Sequence, residues 1–184
     1  MLLHQKIKGL EDFFKRQSER KPKGVYFYRI NSYDETILEF IRKYYDLAKR
    51  EGAIIDKNIE NPTADNIAYF NEIIGDKYVH GPGFMAEALK KWLPRIKDYQ
   101  RASIADGIYD TLEVLRRQGK NIDILKNNFI RIMCWLYYNF YNIMERLGND
   151  DVPKIIFWGN VNFSELSTLK ILSNAGADII LVQP

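Results

Sequence analysis

The chain has 184 residues, of which 46% are hydrophobic, 14% aromatic and 28% charged, which excludes a disordered, collagenous or low-complexity polymer and fits one globular domain. A net charge of +3, from 27 Lys+Arg against 24 Asp+Glu, is too near balance to make nucleic acid or an anionic membrane the default partner. The single cysteine, Cys134, lies in an apolar run, so an internal disulfide framework is excluded and a reducing, cytoplasmic compartment is the simplest expectation.

The opening stretch MLLHQKIKGLEDFFKRQSERK reaches charged residues too early to hold a signal-peptide core. The most apolar stretch, FIRIMCWLYYNFY at 129–141, is well short of the roughly 20 residues of a membrane span and contains Arg131. It reads as a buried helix.

In chain order, a polar arm at 1–22 precedes GVYFYRI (24–30), a strand rich in aromatic and β-branched residues. Ser32 stands three residues before Glu35, the spacing of a capping box, so a helix is expected there. Ile37, Phe40, Ile41, Tyr44, Leu47 and Ala48 give it one apolar face, and Gly52 ends it. AIID (53–56) is a second strand, and the tight strand–helix–strand sequence predicts that the two strands pair in parallel through a right-handed crossover.

The middle, 63–147, reads as a helical insertion. Thr63 caps a helix that runs to Gly75, and a loop, DKYVHGPG, follows. Met85, Leu89, Trp92 and Leu93 define a short helix before Pro94, and Ala102, Ala105, Ile108, Tyr109, Leu112 and Leu115 define another that stops at Gly119. From Asn121 to Leu147 a single long helix is expected, with Leu125, Phe129, Ile132, Met133, Leu136, Phe140, Ile143 and Leu147 on its main stripe.

The last third repeats the opening pattern, with a continuous apolar run KIIFW (154–158), a helix over 165–176 and a second run DIILV (178–182). The expectation is an α/β fold, a single three-layer domain over 1–184 with a mainly parallel sheet of about four or five strands and a large helical insertion. The chain stops at Pro184 with no further helix to cover the sheet, which suggests part of a longer protein.

Ligands of open α/β sheets gather beyond the carboxyl ends of the strands. Two such edges stand out. The first carries Arg29 and Asn31, and the second carries Gly159, Asn160, Asn162 and Ser164, where a glycine turn before a helix start could seat a phosphate. The competing reading makes the asparagines and serine plain turn and cap residues. Neither G-x-G-x-x-G nor a P-loop is present, so no dinucleotide or P-loop site follows.

Elsewhere, His80 in HGPG is a candidate proton donor or acceptor, against a structural loop role. With only His4 and His80 in the chain, a His-rich metal site is excluded. Cys134, beside Met133, Trp135 and Leu136, reads as a core thiol. Asp106 and Asp110 share a helix face that could hold a metal, but Arg101 and Arg117 make a solvated, neutralised face the better reading. Tyr137, Tyr138 and Tyr141 could stack on a base or sugar, or pack with their polar tips wet.

Three segments together carry a resemblance: VYFYRINSYDE (25–35), NPTADNIAYF (61–70) and CWLYYNFYNIMERLGNDDVPKIIFWGNVNFSELSTLKILSNAGADIILVQP (134–184). They resemble the YceG-like bacterial family, described as a component of a biosynthetic module and associated with tellurite-resistance and stress gene clusters. The resemblance implies a cytoplasmic protein, the amino-terminal portion of a longer chain, encoded beside ligase-like, phosphoribosyltransferase-like and phosphatase-like proteins that are candidate partners. It transfers no catalytic residue, and Asn31-Ser32-Tyr33 replaces a more aliphatic, glycine-containing turn.

Two functions are therefore expected to compete. One is binding of a phosphorylated or nucleotide-linked small molecule at the strand ends. The other is a non-catalytic assembly or stress-response component. Nucleic-acid binding ranks third, and no cofactor or metal is implied.

Overall fold

In the computed structural model, which describes residues 4–183, β3 (Lys154–Trp158) and β4 (Asp178–Val182) occupy the centre of a four-stranded sheet of order β1-β4-β3-β2. The edges are β1 (Phe27–Ile30) and β2 (Ala53–Ile55), and every pairing is parallel. The first residues of the amino-terminal arm, and Pro184, on which the expectation of an uncovered sheet rested, lie outside the described residues.

The predicted pairing of the first two strands is corrected. β1 pairs with β4 and β2 with β3, so helix α1 (Glu35–Glu51) spans the whole sheet from one edge to the other. Apolarity explains the order. KIIFW and DIILV are buried almost throughout and belong in the interior, whereas β1 exposes Tyr28 and Arg29 and β2 is only half-buried, as edge strands can be.

Side-chain alternation along β3 and β4 splits the core into two layers. Ile155, Phe157, Ile179 and Leu181 face the helical side, where α7 (Phe163–Ala175) packs against α4 (Asp98–Arg117), and α4 in turn packs against α3 (Pro82–Trp92) and α5 (Ile122–Tyr138). Ile156, Ile180 and Val182 face α1 and the amino-terminal segment. The α1 stripe predicted from spacing contributes Phe40, Ile41, Tyr44 and Ala48 to that layer.

Three local expectations are revised. α1 is capped by Asp34, whose carboxylate accepts the Ile37 amide at 2.8 Å, and not by Ser32; a carboxylate directly before the first turn also meets the positive end of the helix. α7 starts at Phe163 behind an Asn162 cap, which puts Ser164 inside its first turn. The long helix breaks at Asn139–Phe140 into α5 and a single turn, α6 (Tyr141–Met144), yet all eight residues of the predicted stripe are buried. α2 (Ala64–Ile74) begins at Thr63 as expected, with the Thr63 hydroxyl accepting the Asn66 amide at 3.2 Å.

The segment read as a polar arm is anchored in the core. It forms short 3₁₀ turns at Leu10–Phe14 and Gln17–Glu19, and Phe13 is fully buried against Tyr26, Phe40 and Tyr44. Arg20 reaches Asp178 at the start of β4 with 2.9 and 2.6 Å hydrogen bonds, its guanidinium 4.5 Å above the Tyr26 ring. Lys154, at the start of β3, donates to the same carboxylate at 2.6 Å, and the Tyr26 amide donates at 2.9 Å. Burial lowers the Lys154 pKa against the pull of Asp178. This buried cluster lies at the amino ends of the strands, away from the edge where ligands of such sheets gather.

Candidate functional site

The carboxyl edge of the sheet is built by short loops. β3 ends in Trp158 and turns at Gly159, whose φ of +115° is a conformation glycine adopts freely and other residues rarely do. The Gly159 amide donates to Val182 O at 2.9 Å, tying the turn to the end of β4. Asn162 then caps α7 by accepting the Glu165 amide at 3.0 Å.

Glu165 is fully buried and fastens the neighbouring loop to this turn. Its carboxylate accepts from the Asn162 amide (2.8 Å), the Ile59 amide (2.7 Å) and the Asn58 side chain (2.9 and 3.1 Å), and Asn58 also donates to Asn160 O at 3.1 Å. A carboxylate at the positive end of α7 is favourable, and it uses donors that an exogenous anion would otherwise take. Recognition of an anion here must therefore come largely from side chains.

Those side chains come from α5. Arg131 projects toward α7 and donates to Ser164 Oγ at 3.3 Å and Asn128 Oδ1 at 3.4 Å, and Ser164 Oγ is itself 3.3 Å from Asn128 Oδ1. Both partners of the guanidinium are neutral and both contacts are long. Beside them lies an open cleft of about 370 Å³, lined by Arg131, Ser164, Asn162, Phe163, Trp135 and Asn61. Trp135 is fixed by its indole N–H, which donates to Glu60 O at 2.9 Å.

Of the residues singled out by sequence, Asn162 and Ser164 line this cleft, and Gly159 and Asn160 form the turn leading into it. Arg29 and Asn31 are not brought to it. Both are exposed at the end of β1, with β4 lying between β1 and β3, about 10 Å away at ordinary strand spacing. Arg131, Asn128 and Asn61 escaped the sequence reading as site residues. The available signal was Arg131 itself, the one charge inside the apolar 129–141 stretch, with Asn128 three residues earlier on the same helix face.

The other candidates have different surroundings. His80 is hydrogen-bonded to the Tyr78 hydroxyl through Nδ1 (3.0 Å), meets Glu113 Oε2 at Nε2 (2.9 Å) and stacks on Tyr109. An anionic Glu113 only accepts, which assigns a proton to Nε2. Glu113 is held well below the usual carboxylate range by hydrogen bonds from Arg116 and then His80, and burial pushes the Tyr78 phenol up to about 12. Both ring nitrogens are thus engaged in a brace between the 75–81 loop and α4. Cys134 is buried and its thiol is pushed up to about 12 by that burial. Asp106 and Asp110 are exposed; Arg101 pairs instead with Asp98 and Arg117 with Glu113.

Among the described residues, no group of three or more His, Cys, Asp or Glu side chains could hold a metal ion, and no helix is long and apolar enough to cross a membrane. No curated protein and no solved structure matches the chain. The model of the YceG domain matches residues 5–184, nearly the whole length, and the chain therefore belongs to the YceG-domain family.

Proposed function

We propose that this YceG-family protein binds a phosphorylated or nucleotide-linked small molecule in the cleft between α5 and the first turn of α7. The observation that carries this reading is Arg131, a guanidinium at the carboxyl edge of the sheet whose two hydrogen-bond partners, Ser164 and Asn128, are neutral. A phosphate would replace those long contacts with charge-assisted, bidentate ones, and the Ser164 hydroxyl would add a further donor. Glycine at 159 keeps the approach from β3 free of a side chain, since nothing lies within 4 Å of the position a Cβ would occupy. Arg29 and Asn31 would join only for a ligand long enough to extend across β4. In this reading the protein works in the cytoplasm within a biosynthetic module linked to tellurite resistance and stress, together with proteins of the same gene cluster.

Calorimetric titration of the whole protein with pyrophosphate and with adenosine and guanosine nucleotides tests the site. Binding is expected, with Arg131→Met weakening it at least about tenfold, the scale of one lost charge-assisted hydrogen bond. Gly159→Val should weaken it too. Equal affinity in Arg131→Met and the parent would sink the site.

A second reading, an assembly component, is favoured by a different observation. Leu38 and Tyr45 of α1 and Trp158 of β3 line an exposed hollow of about 470 Å³ on the opposite face of the sheet. A flat titration together with co-purification of a partner lost on Trp158→Ser would move the assignment to that reading.

A further inference from the structure

A second concave site lies in the helical insertion, apart from the Arg131 cleft. It is a cleft of about 290 Å³ between α2, the turn after α3, and the α5–α6 break. Its wall is a set of aromatic rings. Tyr137 lies 4.6 Å from Trp92, 6.3 Å from Tyr69 and 5.9 Å from Tyr141, measured between ring centroids. Packing alone would bury such rings, yet Tyr69 is 42% and Tyr141 52% exposed.

The base of the wall is rigid. The Trp92 indole N–H donates to Met133 O at 2.8 Å, which locks α3 to α5, and Tyr137 packs against that fixed indole with the two rings tilted by 36°. An aromatic surface held in place this way offers ring faces at little entropic cost to a planar ligand.

Charge selects among planar ligands. Lys91 and Arg95 stand on the rim with a single carboxylate, Glu145, which is 4.0 Å from Arg95. The carbonyls of Pro94 and Ile96, which could otherwise attract a cation, each accept from Arg101 at 3.2 Å. The rim is therefore net positive, and a quaternary ammonium, the usual guest of an aromatic cage, would meet two cations.

We infer that the Tyr69–Tyr137–Tyr141 cleft binds a small aromatic acid, one or two fused planar rings carrying a carboxylate, with the ring against the tyrosines and the carboxylate toward Lys91 and Arg95. The cleft has the size for one such molecule and not for a polymer.

Calorimetry on the whole protein with three probes decides it: 2-naphthoate, (2-naphthyl)trimethylammonium and hexanoate. 2-Naphthoate is expected to bind more tightly than either of the others, and Tyr141→Ala should weaken it about tenfold, in line with loss of one stacking partner. Lys91→Glu should weaken 2-naphthoate and improve the ammonium probe. Tyr141 and Lys91 are exposed, so these variants keep the fold, which circular dichroism verifies. Arg131→Met should leave 2-naphthoate affinity unchanged, separating this site from the phosphate cleft. Absence of 2-naphthoate binding, equal affinity for hexanoate, preference for the ammonium probe, or insensitivity to Tyr141→Ala would each overturn the inference.

Discussion

Arg20 and Asp178, 158 positions apart, meet as a bidentate ion pair with neither side chain exposed to solvent. Lys154 shares the carboxylate, so the cluster buries two cations against one anion. Removing the anion should be far worse than removing the second cation. Asp178→Asn is expected to cost about 3–5 kcal/mol, because it strands two buried charges. Lys154→Met leaves a balanced Arg20–Asp178 pair with no buried charge uncompensated, and should fall within about 1 kcal/mol of the parent. Guanidinium unfolding curves give both values, and an equal loss in the two variants would refute this account.

Acid should loosen the amino-terminal segment through Asp12. Its carboxylate accepts from Lys15 Nζ (2.6 Å) and the Lys8 amide (2.8 Å), which lower its pKa from 3.8 to about 2. The unfolded chain then binds more protons than the folded one between those values, so the contribution is fully present above pH 3.8 and is lost as pH falls toward 2. Chemical unfolding at stepped pH should show Asp12→Asn less stable than the parent at neutral pH, with the gap closing across that window. A gap that stays constant with pH would contradict the assignment.

Gly52 joins α1 to β2 where the chain passes over β3. A Cβ there would lie 1.7 Å from the Lys154 carbonyl oxygen, a backbone atom with no rotamer to yield. This contact with fixed backbone sets the cost of Gly52→Ala. A loss of at least about 1–3 kcal/mol is expected, the range of overpacked sites, measured as a lowered denaturation midpoint with unchanged slope. An unperturbed midpoint would mean that β2 shifts freely away from β3.

Cys134 should be chemically silent in the folded protein. Burial raises its thiol to about 12 and keeps reagents out, so the reactive thiolate is both scarce and inaccessible. Iodoacetamide labelling followed by mass spectrometry is expected to proceed only as fast as the protein opens, accelerating with denaturant. Rapid labelling in native buffer would place the thiol at the surface.

Local patterns were legible in the residues themselves. The continuous apolar runs of β3 and β4, the α1 and α5 stripes and the Thr63 cap all follow from side-chain periodicity and short-range hydrogen bonding, which depend only on neighbours in sequence. Strand order did not follow. Short connections argued for pairing β1 with β2, but the two most apolar strands, encoded last, take the centre because there both of their faces are covered. The site divides the same way. The turn at Gly159–Ser164 could be named from its glycine, asparagines and position after a strand, whereas its cation, Arg131, arrives from α5, and Glu165 was hidden as an ordinary first-turn acid. Arg20, Lys154 and Asp178 likewise read as unrelated charges on three segments. Their contact exists only because burial makes an unpaired charge costly and folding brings the arm and the amino ends of the two central strands to one place.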